Sequence, residues 1–149
     1  LNIYDLANAF DVQVKYLPMT SAIMFTKTKT TIIINSKTSK RNQYVQFLHE
    51  LSHHIQEHIA FQYLEDWQLK YYELKANSLI QYLAIPYFLI NEVFELKTVD
   101  RVANHFYVTK EIARKRLEWI ENRLINRGEI YASIQRQDTR DMVFPNQLY

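Results

Sequence analysis

The sequence predicts an α+β fold, with a small β-sheet toward the N-terminal end and a mostly α-helical remainder. Three observations carry this expectation. β-Branched and apolar residues at strand spacing are confined to residues 11–35. From Ser39 onward apolar residues recur at three- and four-residue steps, the period of a helix with one buried face. The 149 residues include one Gly and three Pro, which leaves little room for strained turns or long linkers.

The elements follow in order. Residues 2–10 (NIYDLANAF) place apolar side chains at helical spacing and predict a short helix. DVQVKYLP, SAIMFTK and TTIIIN then read as three strands, separated by Pro18 and the polar KTKT at 27–30. The β-branched run Thr31–Ile34 is the strongest strand signal in the chain. Ser39 is the expected N-cap of a helix on which Tyr44, Phe47, Leu48, Leu51 and Ile55 recur. A second helix is expected from about Gln68 to Ala84, and Pro86 is placed to start a third. A short helix near 98–106 and a long one from Thr109 to Arg127 follow, with Gly128 where a C-cap glycine belongs. The tail beyond shows no clear period. Residues 1–95 are expected to form the part that bears the site. Residues 96–149 form a helical, helix-turn-helix-like subdomain and tail, both in one compact unit.

Composition narrows the chemistry. With 48% hydrophobic residues, 11 Tyr and 8 Phe, the chain is long and apolar enough to close a core as one typical domain. There is no cysteine, so disulfides, thiolate zinc sites, iron–sulfur clusters and cysteine nucleophiles are excluded, and a metal must be held by His and carboxylate. No basic start leads into an apolar run, and no stretch approaches about 18 uninterrupted apolar residues. The expectation is a cytoplasmic protein with no membrane partner. A net charge of +2 neither requires nor excludes nucleic acid.

The segment FLHELSHHIQEH, residues 47–58, holds four of the five histidines. On a helix, residues four apart differ by about 40° in azimuth and about 6 Å in height. His49 and His53 therefore project from one face and can share an ion. Glu50 lies about 100° around from His49, near the ion but off the ligand line, where a carboxylate can take a proton from water. This is the HExxH arrangement of two zinc ligands and a general base, and its expected cofactor is Zn2+. The competing reading is a solvated, histidine-rich helix face. The interleaved Phe47, Leu48 and Leu51 argue for burial instead.

A catalytic zinc needs a third protein ligand. Glu73, in ELKAN at 73–77 on the next expected helix, is the candidate, with Glu65 and Asp66 in the preceding connection as alternatives. Asn77, one turn beyond Glu73, is placed to accept a proton from the non-ligating nitrogen of a zinc histidine. His54 and His58 form a second pair four apart, read as polar-face or core-edge residues. His105 and Tyr107 are weaker candidates for donors to an oxyanion, and an extended substrate is expected along the edge of the strand at 31–35.

HELSH at 49–53, followed by ELKANSLIQYLAIP at 73–86, resembles the ImmA/IrrE family of metallopeptidases, which carries HELGH and then E-x-x-A-N ahead of an apolar run ending in Pro. TTIIIN and the later VANHFYVTKEIARKRL match further family segments, so the resemblance spans roughly residues 1–120. Ser52 stands where the family usually has Gly. The resemblance implies a gluzincin-like zinc protease with His49, His53 and Glu73 as ligands and Glu50 as base. It further implies an anti-repressor of a phage or mobile element, whose protein partner and substrate is a helix-turn-helix repressor. The rival expectation is a DNA- or protein-binding regulator with a structural zinc site. It rests on the helix-turn-helix rhythm of residues 102–120 and a basic stripe of Arg114, Lys115 and Arg116. A solvated face on a helix packed by Ile112, Leu117 and Ile120 is preferred to that DNA-binding reading. The oligomeric state is not specified by the sequence.

Overall fold

The computed structural model describes residues 2–57 and 64–126. The architecture is α+β, as the sequence predicts. Helix α1 (Ile3–Ala9) starts because the Asn2 side chain accepts from the Tyr4 and Asp5 amides, satisfying two donors that a first turn leaves open. Strands β1 (Val12–Leu17), β2 (Ala22–Phe25) and β3 (Thr30–Asn35) follow. Helix α2 (Lys40–Ile55) begins at Ser39, whose hydroxyl accepts from the Asn42 amide, the cap expected from the sequence. Helix α3 (Asp66–Ala84) comes next.

The sheet order is β1-β3-β2, with β1 parallel and β2 antiparallel to β3. The apolar run of β3 is thereby explained. Ile32, Ile33 and Ile34 are all buried, because a central strand covered on both faces needs no polar alternation. This corrects one expectation. The strand at 31–35 has neighbours on both sides and offers no free edge; the edges belong to β1 and β2.

The chain divides into two compact units, Leu1–Ala84 and Ile85–Tyr149. In the first, α2 lies on β3 and β2 and packs on α3. Phe47, Leu48 and Leu51 are fully buried. Each such side chain contributes about 1.5–3 kcal/mol on leaving water, so the helix is fixed by its apolar face. Directional bonds add to this. The Gln43 amide donates to the Ser36 and Thr38 carbonyls, and Ser21 joins α2 to β3 by donating to Gln46 Oε1 and accepting from the Asn35 amide.

In the second unit Pro86 precedes a single 3₁₀ turn, Tyr87–Leu89, before helix α4 (Ile90–Leu96) begins. Helices α5 (Val99–His105), capped by Thr98, and α6 (Lys110–Asn126) complete the described residues. Gly128 and the tail lie outside them. Four non-glycine residues adopt positive φ: Asp11, Glu57, Lys97 and Tyr107. Each stands at or just beyond a helix end, where the chain needs a left-handed residue to stop the helix. The scarcity of glycine did not exclude such turns; other residues bear their conformational cost.

Candidate metal centre

Helix α2 presents His49 and His53 one turn apart, and α3 presents Glu73 against them. His49 Nε2 and His53 Nε2 are 3.1 Å apart. His49 Nε2 is 3.3 Å from Glu73 Oε2, and His53 Nε2 is 3.3 Å from Glu73 Oε1. One ligand atom from each residue lies within 4.8 Å of the others, and this is the group of metal-ligand type found among the described residues. Ligand atoms around a tetrahedral zinc with bonds of about 2.0–2.1 Å stand about 3.3 Å apart. All three observed separations match that edge. The donor set fits as well: two imidazole nitrogens and one carboxylate suit a divalent cation, and a cation between them engages the lone pairs of both facing nitrogens.

Burial within the group is graded. The His53 side chain is 3% exposed, that of His49 24% and that of Glu73 48%. The two histidines thus ride on the core helix, and Glu73 reaches in from a more open side. Glu50 is buried on α2. Loss of solvation, and then repulsion from the Glu73 carboxylate, push its carboxyl up to about 7. A carboxyl in that range exchanges protons readily near neutral pH, which is what a general base or acid needs.

Ser52, at the position where the resemblance led to Gly, is fully buried, and its hydroxyl donates to the Leu48 carbonyl at 2.7 Å. The turn-back bond satisfies the hydroxyl inside the helix, so the substitution leaves no unpaired polar group. His54 is half-buried; its Nε2 lies 3.3 Å from the Phe10 carbonyl and its ring stacks on Phe25. His58 lies outside the described residues. Glu65 accepts from Trp67 Nε1 at 2.8 Å, and Asp66 opens α3 in its first turn. Neither belongs to the metal-ligand group. Asn77 is exposed one turn beyond Glu73.

His105 and Tyr107 belong to the second unit. His105 Nε2 sits 3.1 Å from Glu92 Oε2, and Tyr107 is an exposed residue with φ of 57°. The expected basic stripe on α6 loses Arg116, while Arg114 and Lys115 stay exposed. Arg116 is 1% exposed, its Nε donates to the Ile85 carbonyl at 2.8 Å and its guanidinium lies 4.6 Å from the centre of the Trp119 ring. Lys115 pairs with Glu111 and Lys110 with Asp100. The sequence reading missed Arg116 as a core residue because a basic triplet on a helix resembles a solvated face. Its spacing from Ala113, Leu117 and Ile120 on the buried side was the available signal.

A helix with two histidines one turn apart, a glutamate facing them and a buried carboxylate is the arrangement expected of a metallopeptidase. The model of the IrrE N-terminal-like domain, Peptidase M78, matches residues 7–118. The chain belongs to that family, as HELSH and ELKAN led one to expect, and a peptidase is a hydrolase of peptide bonds. It is similar to the phage-like element PBSX protein XkdA of Bacillus subtilis (strain 168), at 27% identity over 134 residues, covering 83% of this chain and 64% of that protein. The chain therefore spans less than two thirds of that relative's length. Among the described residues no single helix is long and apolar enough to cross a membrane.

Proposed function

We propose that the protein is a zinc-dependent endopeptidase that cleaves a helix-turn-helix repressor of a prophage or mobile element and so relieves repression. The observation that carries this reading is the His49–His53–Glu73 group with Glu50 buried beside it. Membership of the peptidase family and the likeness to a protein of a phage-like element support it.

His49 and His53 would hold the ion through Nε2 and Glu73 through its carboxylate. Zinc bound there supplies a Lewis acid that polarises a scissile carbonyl and makes water more acidic. The Glu50 carboxylate takes the proton from the attacking water and later returns it to the leaving amine nitrogen. Burial serves this exchange by raising the basicity of the Glu50 carboxylate, while a bound cation would favour its ionised form. The extended substrate is proposed to add to the outer edge of β2, since β3 has no open side. A site of action in the cytoplasm belongs to the same proposal.

The test is incubation of the purified protein with the repressor encoded beside its gene, read by intact mass. A defined cut that a chelator abolishes and zinc restores is the expected result. Cutting that survives the chelator, or an uncut repressor with zinc bound, would overturn the proposal.

A further inference from the structure

The HExxH segment is followed directly by His54, to which the ligand and base roles assign nothing. A carbonyl oxygen only accepts, so the 3.3 Å contact with Phe10 means that Nε2 of His54 carries the hydrogen. Phe10 is the C-cap of α1, and its carbonyl is among those that a helix end leaves without an intrahelical donor. The same imidazole stacks on Phe25, with ring centres 6.3 Å apart and planes 23° apart. Phe25 is the last residue of β2.

The sheet register shows what these contacts have in common. Val12 and Phe25 both pair with Thr30, so the start of β1, the start of β3 and the end of β2 form one row at one end of the sheet. His54, near the end of α2, touches that row from both sides: through the turn leading into β1 and through the ring on β2. Burial of the apolar face supplies most of the docking energy, but it is non-directional and defines the register less sharply than a directed contact does. Hydrogen bonds and stacked rings add that direction. Gln43 and Gln46 supply such bonds toward the start of α2. His54 supplies them at the end where the metal ligands lie.

We propose that His54 is a positioning residue that sets the open edge of β2 relative to the His49–His53–Glu73 group, and so the register in which an extended substrate meets the reacting atoms. This rests on the peptidase reading above. Misplacement of a bound chain by a fraction of an ångström is costly to catalysis. The effect should grow with the length of substrate lying along β2 and vanish for one too short to reach it.

Three variants separate the two contacts. His54→Gln keeps an N–H donor at about the reach of Nε2 and loses the ring. His54→Phe keeps the ring and loses the donor. His54→Ala loses both. The substrates are a twelve-residue peptide spanning the repressor cut site and its central four residues, each assayed with zinc-loaded protein. For His54→Ala, kcat/KM on the long peptide should fall about tenfold, as expected for loss of a directional bond plus a ring contact, with the short peptide within about twofold of wild type. His54→Gln and His54→Phe should fall between. Amide exchange, read without substrate, should quicken in His54→Ala at residues 10–13 and 22–25 and stay unchanged at residues 40–48. An equal loss on both peptides, or exchange unchanged at residues 22–25, overturns the positioning role. Failure of the wild type to cut either peptide overturns the peptidase reading itself.

Discussion

Replacing Glu50 by Gln in protein stripped of metal should change how stability depends on pH, and the size of the effect follows from the site. The Glu50 carboxyl is pushed from 4.5 to about 7 by burial and by the neighbouring Glu73 carboxylate. Its folded-state value therefore lies above its unfolded one. Between these values the native state binds more protons than the unfolded state, so stability falls as pH rises. The protonated side chain costs nothing extra below about pH 4.5, and the penalty is fully present above about pH 7, where it amounts to about 3 kcal/mol. Gln cannot ionise and lacks this penalty. The variant should thus gain on the wild type by about 2–3 kcal/mol between pH 5 and pH 8. Other groups titrate in the same window, but they are present in both proteins and largely cancel in the difference. Urea unfolding of both, in chelator at several pH values, measures that difference directly. Parallel stability curves would show that Glu50 is not held in a charge-hostile position, and the argument for a raised carboxyl poised to accept a proton would fail with it. With zinc bound, the same variant should keep its metal and lose peptide cleavage by about 10²–10⁴-fold.

Three further outcomes are expected. Purified protein should bind about one zinc per chain, with His49→Ala removing it and Glu73→Gln weakening it far more than Glu65→Gln; elemental analysis and competition with a chromogenic chelator provide the readout. Arg116→Lys should destabilise the protein by about 2 kcal/mol in urea unfolding, because an ammonium cannot reproduce the Nε bond to Ile85 together with the contact over the Trp119 ring. Lys97→Gly should raise stability by about 0.5–1 kcal/mol, since the residue sits at φ of 62° beyond α4, where a side chain is a hindrance.

The sequence carried the locally determined features well. Ser39 was legible as a cap because a short polar side chain next to an apolar period can satisfy open amides, and that logic needs only a few neighbouring residues. His49 and His53 share a face because helix geometry fixes their azimuths. What did not show was non-local. Nothing in TTIIIN states that β3 lies between β1 and β2; a continuous apolar run suits any fully buried strand, and strand order depends on connections elsewhere in the chain. Arg116 looked like surface because guanidinium burial needs a carbonyl and an aromatic face, and Ile85 and Trp119 supply them from two different segments. Gln43 and His54 escaped as structural pins for the same reason. Their partners, Ser36, Thr38, Phe10 and Phe25, can be named only once the sheet and helix are docked.

The graded exposure of the metal group says how its parts divide the work. His53 sits in the core of the first unit, on a helix held by Phe47, Leu48 and Leu51. Glu73 comes from α3 and is half exposed, with one oxygen facing each imidazole. An ion held between them would join α2 to α3. Binding energy gained there would also hold the two helices together, because the unfolded chain has no such assembled group. Truncating His53 leaves a hole in a packed core and harms folding as well as affinity, whereas neutralising Glu73 removes a ligand from a place that water already reaches. Affinity and stability are therefore separable at Glu73 and linked at His53. The proposed proton carrier, Glu50, sits on the buried α2 side of this group, where desolvation and then the Glu73 carboxylate raise its carboxyl in the metal-free protein.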